Sequence, residues 1–203
     1  MTLTIQHWDL TPYPIVYEAM KRQTMHSDAS SPDQLWLVQH PAVFTQGRHG
    51  RSEHLLNPDP IPICHTDRGG QVTYHGPGQA VIYFLFNLKR QRIGIKKFVF
   101  LIEQAGIDML QTFQINATRR HDAPGLYVQG AKIASLGLRV KNGRTYHGIA
   151  INTAMDLTPF NKINPCGMAR LPMCQIKDMY EQVTVDMVFQ RYCQAFKRLL
   201  STI

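Results

Sequence analysis

Asn142-Gly143 lies between two runs rich in aliphatic and β-branched residues, 131–140 and 145–153, and constrains the chain more than any other feature. Asn-Gly is a preferred pair for a two-residue type I′ turn, in which both central residues take positive φ. A hairpin follows, and the turn sets its register. With Lys141 opposite Arg144, Gly137 faces Gly148 and Ser135 faces Ala150 on one side of the sheet. Four small residues there make a shallow floor, over which a ligand, a second backbone or a helix can come close.

Around the hairpin the sequence predicts strands over 3–8, 34–39 and 81–88, and the segment 15–26 tolerates a helix. Ile95, Phe98, Val99, Ile102, Ala105, Met109 and Phe113 share one helical face, as do Val188, Tyr192, Ala195, Phe196 and Leu199. Strands and helices mix without strict βαβ alternation. The expected class is therefore α/β (α+β), with a mixed, mainly antiparallel sheet flanked by helices. The 203 residues contain no repeat, no low-complexity tract and no long linker, so residues 1–203 read as one domain.

Composition narrows the functional classes. The longest apolar run, 80–86, is far short of the ~20 residues of a membrane span. The opening MTLTIQHWDL has neither the basic nor the apolar part of a secretory signal, so a cytoplasmic protein is expected. Four cysteines without a C-x-x-C pair read as reduced thiols. The histidines form no H-E-x-x-H, and His49, Glu53 and His54 miss the inverzincin spacing, so no metal is expected. The net charge of +8 is compatible with nucleic acid, an anionic membrane surface or an acidic protein as partner, and the cluster of Lys89, Arg90, Arg92, Lys96 and Lys97, with no acid among them, reads from composition alone as a solvated face. No RNA-binding aromatic signature or zinc-finger pattern points to nucleic acid.

Three segments can carry chemistry. RGGQVTYHGPGQA at 68–80 is a glycine-rich loop that matches neither a P-loop nor a Rossmann fingerprint; its Arg68 and His75 either steady the loop or face a ligand. In GAKIASLGLRV at 130–140, Lys132 sits among small and aliphatic residues. It reads either as an edge-strand lysine that discourages aggregation or as a lysine set beside an acid or a thiol. Cys166 lies between Pro165 and Gly167 in a loop, whereas Cys64, Cys174 and Cys193 lie in apolar surroundings that suit small core residues. Cys166 is the candidate nucleophile.

Together with HPAVFTQGRHG at 40–50 and TYHGIAINTAMDLTPFNKINPCGM at 145–168, these segments resemble the lipoyl(octanoyl) transferases over about residues 35–180. The resemblance implies the biotin and lipoyl protein ligase type of fold. It also implies transfer of an octanoyl or lipoyl group from acyl carrier protein to the lysine of a lipoyl domain, the first step of endogenous protein lipoylation, without ATP or another cofactor. Carried over, Cys166 matches the acyl-thioester nucleophile and Lys132 the lysine that lowers its pKa. The matching substrate-binding stretches are Arg68, Gly69, Gly70, Gln71, Val72, Thr73, Tyr74 and His75; Ser135, Leu136 and Gly137; and Gly148, Ile149 and Ala150. Implied acceptors are the lipoyl domains of 2-oxoacid dehydrogenases and the glycine cleavage H protein, with neither nucleic acid nor membrane as partner; a monomer is the default expectation, since the sequence holds no signal for an oligomer.

Strict alternation places Lys132 and Ser135 on opposite faces, so a bulge or strand end within 130–134, or a pocket wrapped around the hairpin edge, is required. His75 and His147 are either supporting partners or structural. Competing readings are an ATP-dependent lipoate or biotin ligase, a basic binding domain without catalysis, and a Cys/His hydrolase.

Overall fold

The apolar runs pair into sheets, and the three helical segments cover them. The computed structural model describes residues 3–202. In chain order the elements are β1 (Leu3–Leu10), α1 (Tyr13–His26), β2 (Asp33–Gln39), β3 (Val43–Gln46), β4 (Ile63–His65), β5 (Val72–His75), β6 (Gln79–Leu85), α2 (Ile95–Gln111), β7 (Thr118–Arg119), β8 (Gly125–Val128), β9 (Ala131–Lys141), β10 (Arg144–Asn152) and α3 (Val185–Leu200). The large sheet has the order β1-β2-β6-β10-β9-β8-β7, and β4-β3-β5 form a small one. Among the described residues of the large sheet, β1 and β2 pair in parallel, joined by the crossover helix α1, and the other strand pairs are antiparallel. This is the mixed, mainly antiparallel sheet flanked by helices that the sequence predicts.

The hairpin has the register its turn demands: Lys141 pairs with Arg144, Gly137 with Gly148 and Ser135 with Ala150. Asn142 and Gly143 take φ of 53° and 82°. One face of the large sheet packs under α2 and α3. There Phe84 meets Phe98 and Phe196 edge to face at 5.8 and 5.0 Å between ring centroids. Burying each such ring contributes about 2–3 kcal/mol. The helical stripe on α2 is buried at Phe98, Ile102, Ala105 and Met109, while Ile95 stays partly exposed in the first turn. On the other face, Tyr13, Val16 and Met20 of α1 cover Trp36, Val38, Val81 and Tyr83. The small sheet adds a further cluster of Phe44, Val72, Tyr74 and Phe160.

Two expectations need correction. The strand expected over 81–88 runs from Gln79 to Leu85. It ends there because the Thr145 hydroxyl enters the ladder, accepting from Phe86 N–H at 3.1 Å and donating to Phe84 O at 2.7 Å. Lys132 is not an edge-strand lysine, since β9 lies between β10 and β8. Along β8 and β9 the pairing steps from Leu126 with Ala134 to Tyr127 with Lys132, which makes Ile133 an extra residue in a bulge. Among the described residues, no helix is long and apolar enough to cross a membrane.

Candidate active site

The bulge at Ile133 reverses the alternation and brings Lys132 to the face that carries Ser135. The Lys132 side chain is fully buried; its Nζ donates to Cys166 Sγ at 2.9 Å and to Pro124 O at 3.0 Å. The ammonium also stands 5.3 Å from the centroid of the Tyr127 ring. Gly125 makes room for this lysine. Its φ is +134°, and a Cβ there would stand 2.8 Å from Lys132 Cε and 2.3 Å from Ala134 O. Glu103 approaches the region, but its carboxylate is engaged by Gly125 N–H at 3.0 Å and by Arg119 at 3.4 Å. Lys132 makes no salt bridge among the described residues, so a thiolate on Cys166 would be its counter-ion.

Cys166 is presented by a short 3-10 turn, Pro165–Gly167, in which Cys166 and Gly167 both have left-handed backbones, φ 57° and 75°. The strain at the non-glycine position costs about 1–2 kcal/mol. The surrounding strap holds it in place. Asn164 N–H donates to His54 O at 2.9 Å, Lys132 N–H to Pro172 O at 2.8 Å, and Cys174 N–H to Lys132 O at 3.1 Å. The Lys132 backbone thus anchors the segment whose thiol its side chain meets. The remaining thiols lack a comparable lysine contact. Burial pushes Cys174 and Cys193 up to about 11, and raises Cys64 as well. Cys193 is a core residue as expected, but Cys64 and Cys174 are half-buried, on an outer strand of the small sheet and on the strap.

Beside the thiol lies a narrow cleft of about 50 Å³. Ser135, Gly137, Ala150 and Val81 form its floor, and Thr73 and His75 of β5 its roof. Of the glycine-rich stretch, Arg68, Gly70, Gln71, Val72, Thr73 and His75 reach the cleft. Gly69 lies instead across β9, its N–H donating to Leu138 O at 2.9 Å. A Cβ on Gly137 would stand 2.9 Å from Gly69 O, so that glycine admits a second backbone. Alternation along β5 carries Tyr74 away from the cleft and against Phe44 and Phe160. Leu136 and Ile149 border the cleft, while their side chains serve the core under α2 and α3.

Gly148 lines the cleft with its backbone, and the neighbouring strand comes close to it as well. A Cβ there would strike Ile82 O at 1.9 Å, so the neighbouring strand requires this glycine. The cause is His147, whose φ of 62° turns the chain within β10. Tyr146 and His147 consequently share one side, and both bind Asp67: Tyr146 through its hydroxyl and His147 through Nε2 at 3.1 Å. Burial pushes the Asp67 carboxyl up, but hydrogen bonds from His147, Tyr146 and Tyr17 outweigh it and hold the carboxyl well below its usual range.

A chain of hydrogen bonds encircles the cleft. Arg68 Nε and Nη2 donate to Thr45 Oγ1 at 3.2 and 2.9 Å, and the Thr45 hydroxyl meets His75 Nε2 at 3.3 Å. His75 Nδ1 meets Gln79 Oε1 at 2.7 Å, Gln79 Nε2 donates to Asn152 Oδ1 at 3.0 Å, and Asn152 Nδ2 to Cys174 O at 3.0 Å. Burial drives His75 well below its usual value, and the neutral tautomer with the proton on Nδ1 satisfies both neighbours. His75 therefore links the arginine to the strap behind Lys132. Arg68 itself is a buried cation without a carboxylate partner among the described residues, bonded to Thr45 and to Gly69 O.

Sequence reasoning missed Asp67, Gly125, Tyr13, Thr45, Gln79 and Asn152. Only Asp67, next to Arg68, and the glycine at 125 carry a local signal; the others meet the site through tertiary packing. Among the described residues no His, Cys, Asp and Glu cluster could hold a metal. Part of the cationic run is structural, since Arg90 pairs with Asp33 at 2.6 Å. Lys89 packs beside Gly143 at the hairpin turn, six residues and about 20 Å along β9 from Gly137.

Residues 16–197 match the family model of the lipoyl protein ligase A/B catalytic domain. The chain is 53% identical over 193 residues to the octanoyltransferase of Francisella tularensis subsp. tularensis (strain WY96-3418), covering 95% of this chain and 94% of that one. It is 54% identical over 182 residues to the octanoyltransferase of Pseudomonas putida (strain GB-1), covering 90% and 85%. Among solved structures it is similar to a lipoate-protein ligase A bound with ATP, at TM-score 0.81 and 14% identity over 99% of this chain and 86% of that one. The biotin protein ligase of Aquifex aeolicus follows at TM-score 0.58 and 10% identity, covering 100% and 69%. At those identities the structural likeness speaks for the fold alone.

Proposed function

The chain belongs to the lipoyl protein ligase A/B catalytic-domain family and works as an octanoyltransferase in protein lipoylation; on that premise we propose that it takes the octanoyl group from acyl carrier protein onto Cys166 and passes it to the lysine of a lipoyl domain. The observation that carries this reading is the 2.9 Å contact between Lys132 Nζ and Cys166 Sγ in a site where the lysine has no carboxylate partner.

In the first half-reaction the Cys166 thiolate attacks the thioester carbonyl of the donor, and the bond to the carrier sulfur breaks. Acylation removes the negative charge that Lys132 faced. The buried ammonium then gives its proton to the departing carrier thiolate. In the second half-reaction the acceptor amine attacks the Cys166 thioester and neutral Lys132 takes the amine proton. Cys166 leaves as a thiolate, which restores the starting ion pair. One thioester is exchanged for another and then for a more stable amide, so no ATP is consumed.

Gly167 N–H is engaged by Asn164 O at 3.0 Å. We assign oxyanion stabilisation instead to the Gln71 side-chain N–H, whose Nε2 lies against Gly167 and can donate to the developing negative charge. Donor and acceptor domains are acidic in this reading, and the net charge of +8 steers their approach. The reaction belongs in the cytoplasm, where the free cysteines stay reduced.

Intact-protein mass spectrometry tests nucleophile, donor and energy source together. After incubation with octanoyl-acyl carrier protein and no ATP, the protein and its Cys174→Ser variant should carry an octanoyl adduct that a lipoyl domain removes; Cys166→Ser should carry none. Turnover only with ATP and free octanoic acid would mean that the chain is a ligase.

A further inference from the structure

The cleft has a measurable length. On its floor Ser135 of β9 pairs with Ala150 of β10, and Ala150 with Val81 of β6, in one cross-strand row. The next member, Val38 of β2, does not line the cleft. The open row therefore spans two strand spacings, about 10 Å. Along the roof, Gln71 rests on Gly167 beside the thiol, and His75 lies against Tyr13. The four residue steps from Gln71 to His75 span about 13 Å. An extended eight-carbon acyl chain is about 9 Å long, which leaves room for the thioester sulfur at one end and the methyl radius at the other.

The far end is closed by a braced wall. Tyr13, fully buried, lies nearly parallel to the His75 ring at 5.7 Å and 14°, and its hydroxyl meets His147 Nδ1 at 3.3 Å. Behind it the Tyr83 hydroxyl meets His40 Nε2 at 2.7 Å, and His40 Nδ1 donates to Thr11 O at 2.6 Å. The ring nitrogens of these histidines are taken up by partners within the wall. A wall tied at so many points cannot yield to a longer chain as a lone flexible side chain would.

Resting on the acyl-transfer reading above, we propose that Tyr13, braced by His75 and the histidines behind it, is the stop that measures the acyl chain, and that Val81 shapes its last two-carbon step. The roles are specificity-determining: they set which acyl group fits, while Cys166 and Lys132 react.

The test is a competition. Equimolar hexanoyl, octanoyl, decanoyl and dodecanoyl thioesters of pantetheine are offered without acceptor, and the masses of the Cys166 adduct are read before one turnover. The unaltered protein should favour octanoyl over decanoyl by about tenfold or more. Tyr13→Leu and Val81→Ala should each raise the decanoyl-to-octanoyl ratio about tenfold, and Ala150→Leu, which raises the floor, should shift the product towards hexanoyl. Adducts formed in good yield with unchanged ratios in Val81→Ala and Ala150→Leu would overturn the proposal and leave acyl transfer intact. Failure of the unaltered protein to form an adduct from any thioester would overturn the acyl-transfer reading and this one with it.

Discussion

Removing a buried charge and removing a catalytic group usually act on stability in the same direction, but at Lys132 they separate. The side chain is fully buried and has only a carbonyl, a ring face and a sulfur as partners. Lys132→Met keeps the stem and removes the charge. Its stability should be unchanged or higher, because an apolar replacement of a buried ion is often neutral or stabilising. Octanoyl transfer should fall about 10²–10⁴-fold, the usual range for a lost proton-transfer group. Thermal unfolding beside single-turnover kinetics checks both halves, and equal loss of stability and rate would mean that the lysine is structural. Lys132→Arg should not restore transfer, because a planar fork does not fit the passage that Gly125 leaves. Cys166 was legible from sequence because a loop cysteine between proline and glycine has no packing reason to exist. The role of Lys132 was visible only as a residue out of place.

The hairpin and the bulge differ in how sequence specifies them. Asn142-Gly143 dictates backbone dihedrals locally, so its register follows from a few residues. The extra residue at Ile133 depends on how β8 meets β9, and strict alternation could say only that some irregularity was needed. The positive φ of His147 had no local signal at all, so the close approach of the neighbouring strand to Gly148 was not legible in the sequence. Glycines around the lysine separate conformational from steric cost. Gly130 has φ +86° with nothing near its Cβ direction, and Gly130→Ala should cost only about 1–2 kcal/mol. Gly125→Ala adds a clash with Ala134 O and the Lys132 stem. It should cost about 3 kcal/mol or more and inactivate the enzyme in whatever fraction still folds. Urea unfolding and octanoyl transfer on the two variants check this, and equal effects would show that the passage around Lys132 is not tight.

Across the whole molecule, periodicity conveyed the elements because each helix and strand announces its own buried face, whereas the site is assembled from α1, both sheets and the strap. No local pattern tells Tyr13 that it will meet His75 and His147, or His40 that it will hold Tyr83. That assembly carries a thermodynamic signature. Burial lowers His40 to about 4, although its bond to Thr11 O opposes the shift, and burial also lowers His75 and His147. In the unfolded chain each titrates near 6.5. Between about pH 6.5 and 4 the unfolded state therefore binds protons that the native state refuses, and stability falls as pH falls. His40 alone contributes a loss of about 3 kcal/mol by pH 4, with His75 and His147 acting in the same direction. Asp67 behaves differently, because its depressed carboxyl begins to cost stability only below its unfolded value of about 3.9. Destabilisation should thus begin about two pH units before the carboxylates titrate, as a decline in the urea midpoint from pH 7 to pH 5. A midpoint flat over that range would mean that water or protons reach the histidines in the folded protein, and a wall that open could not hold an acyl chain to a fixed length.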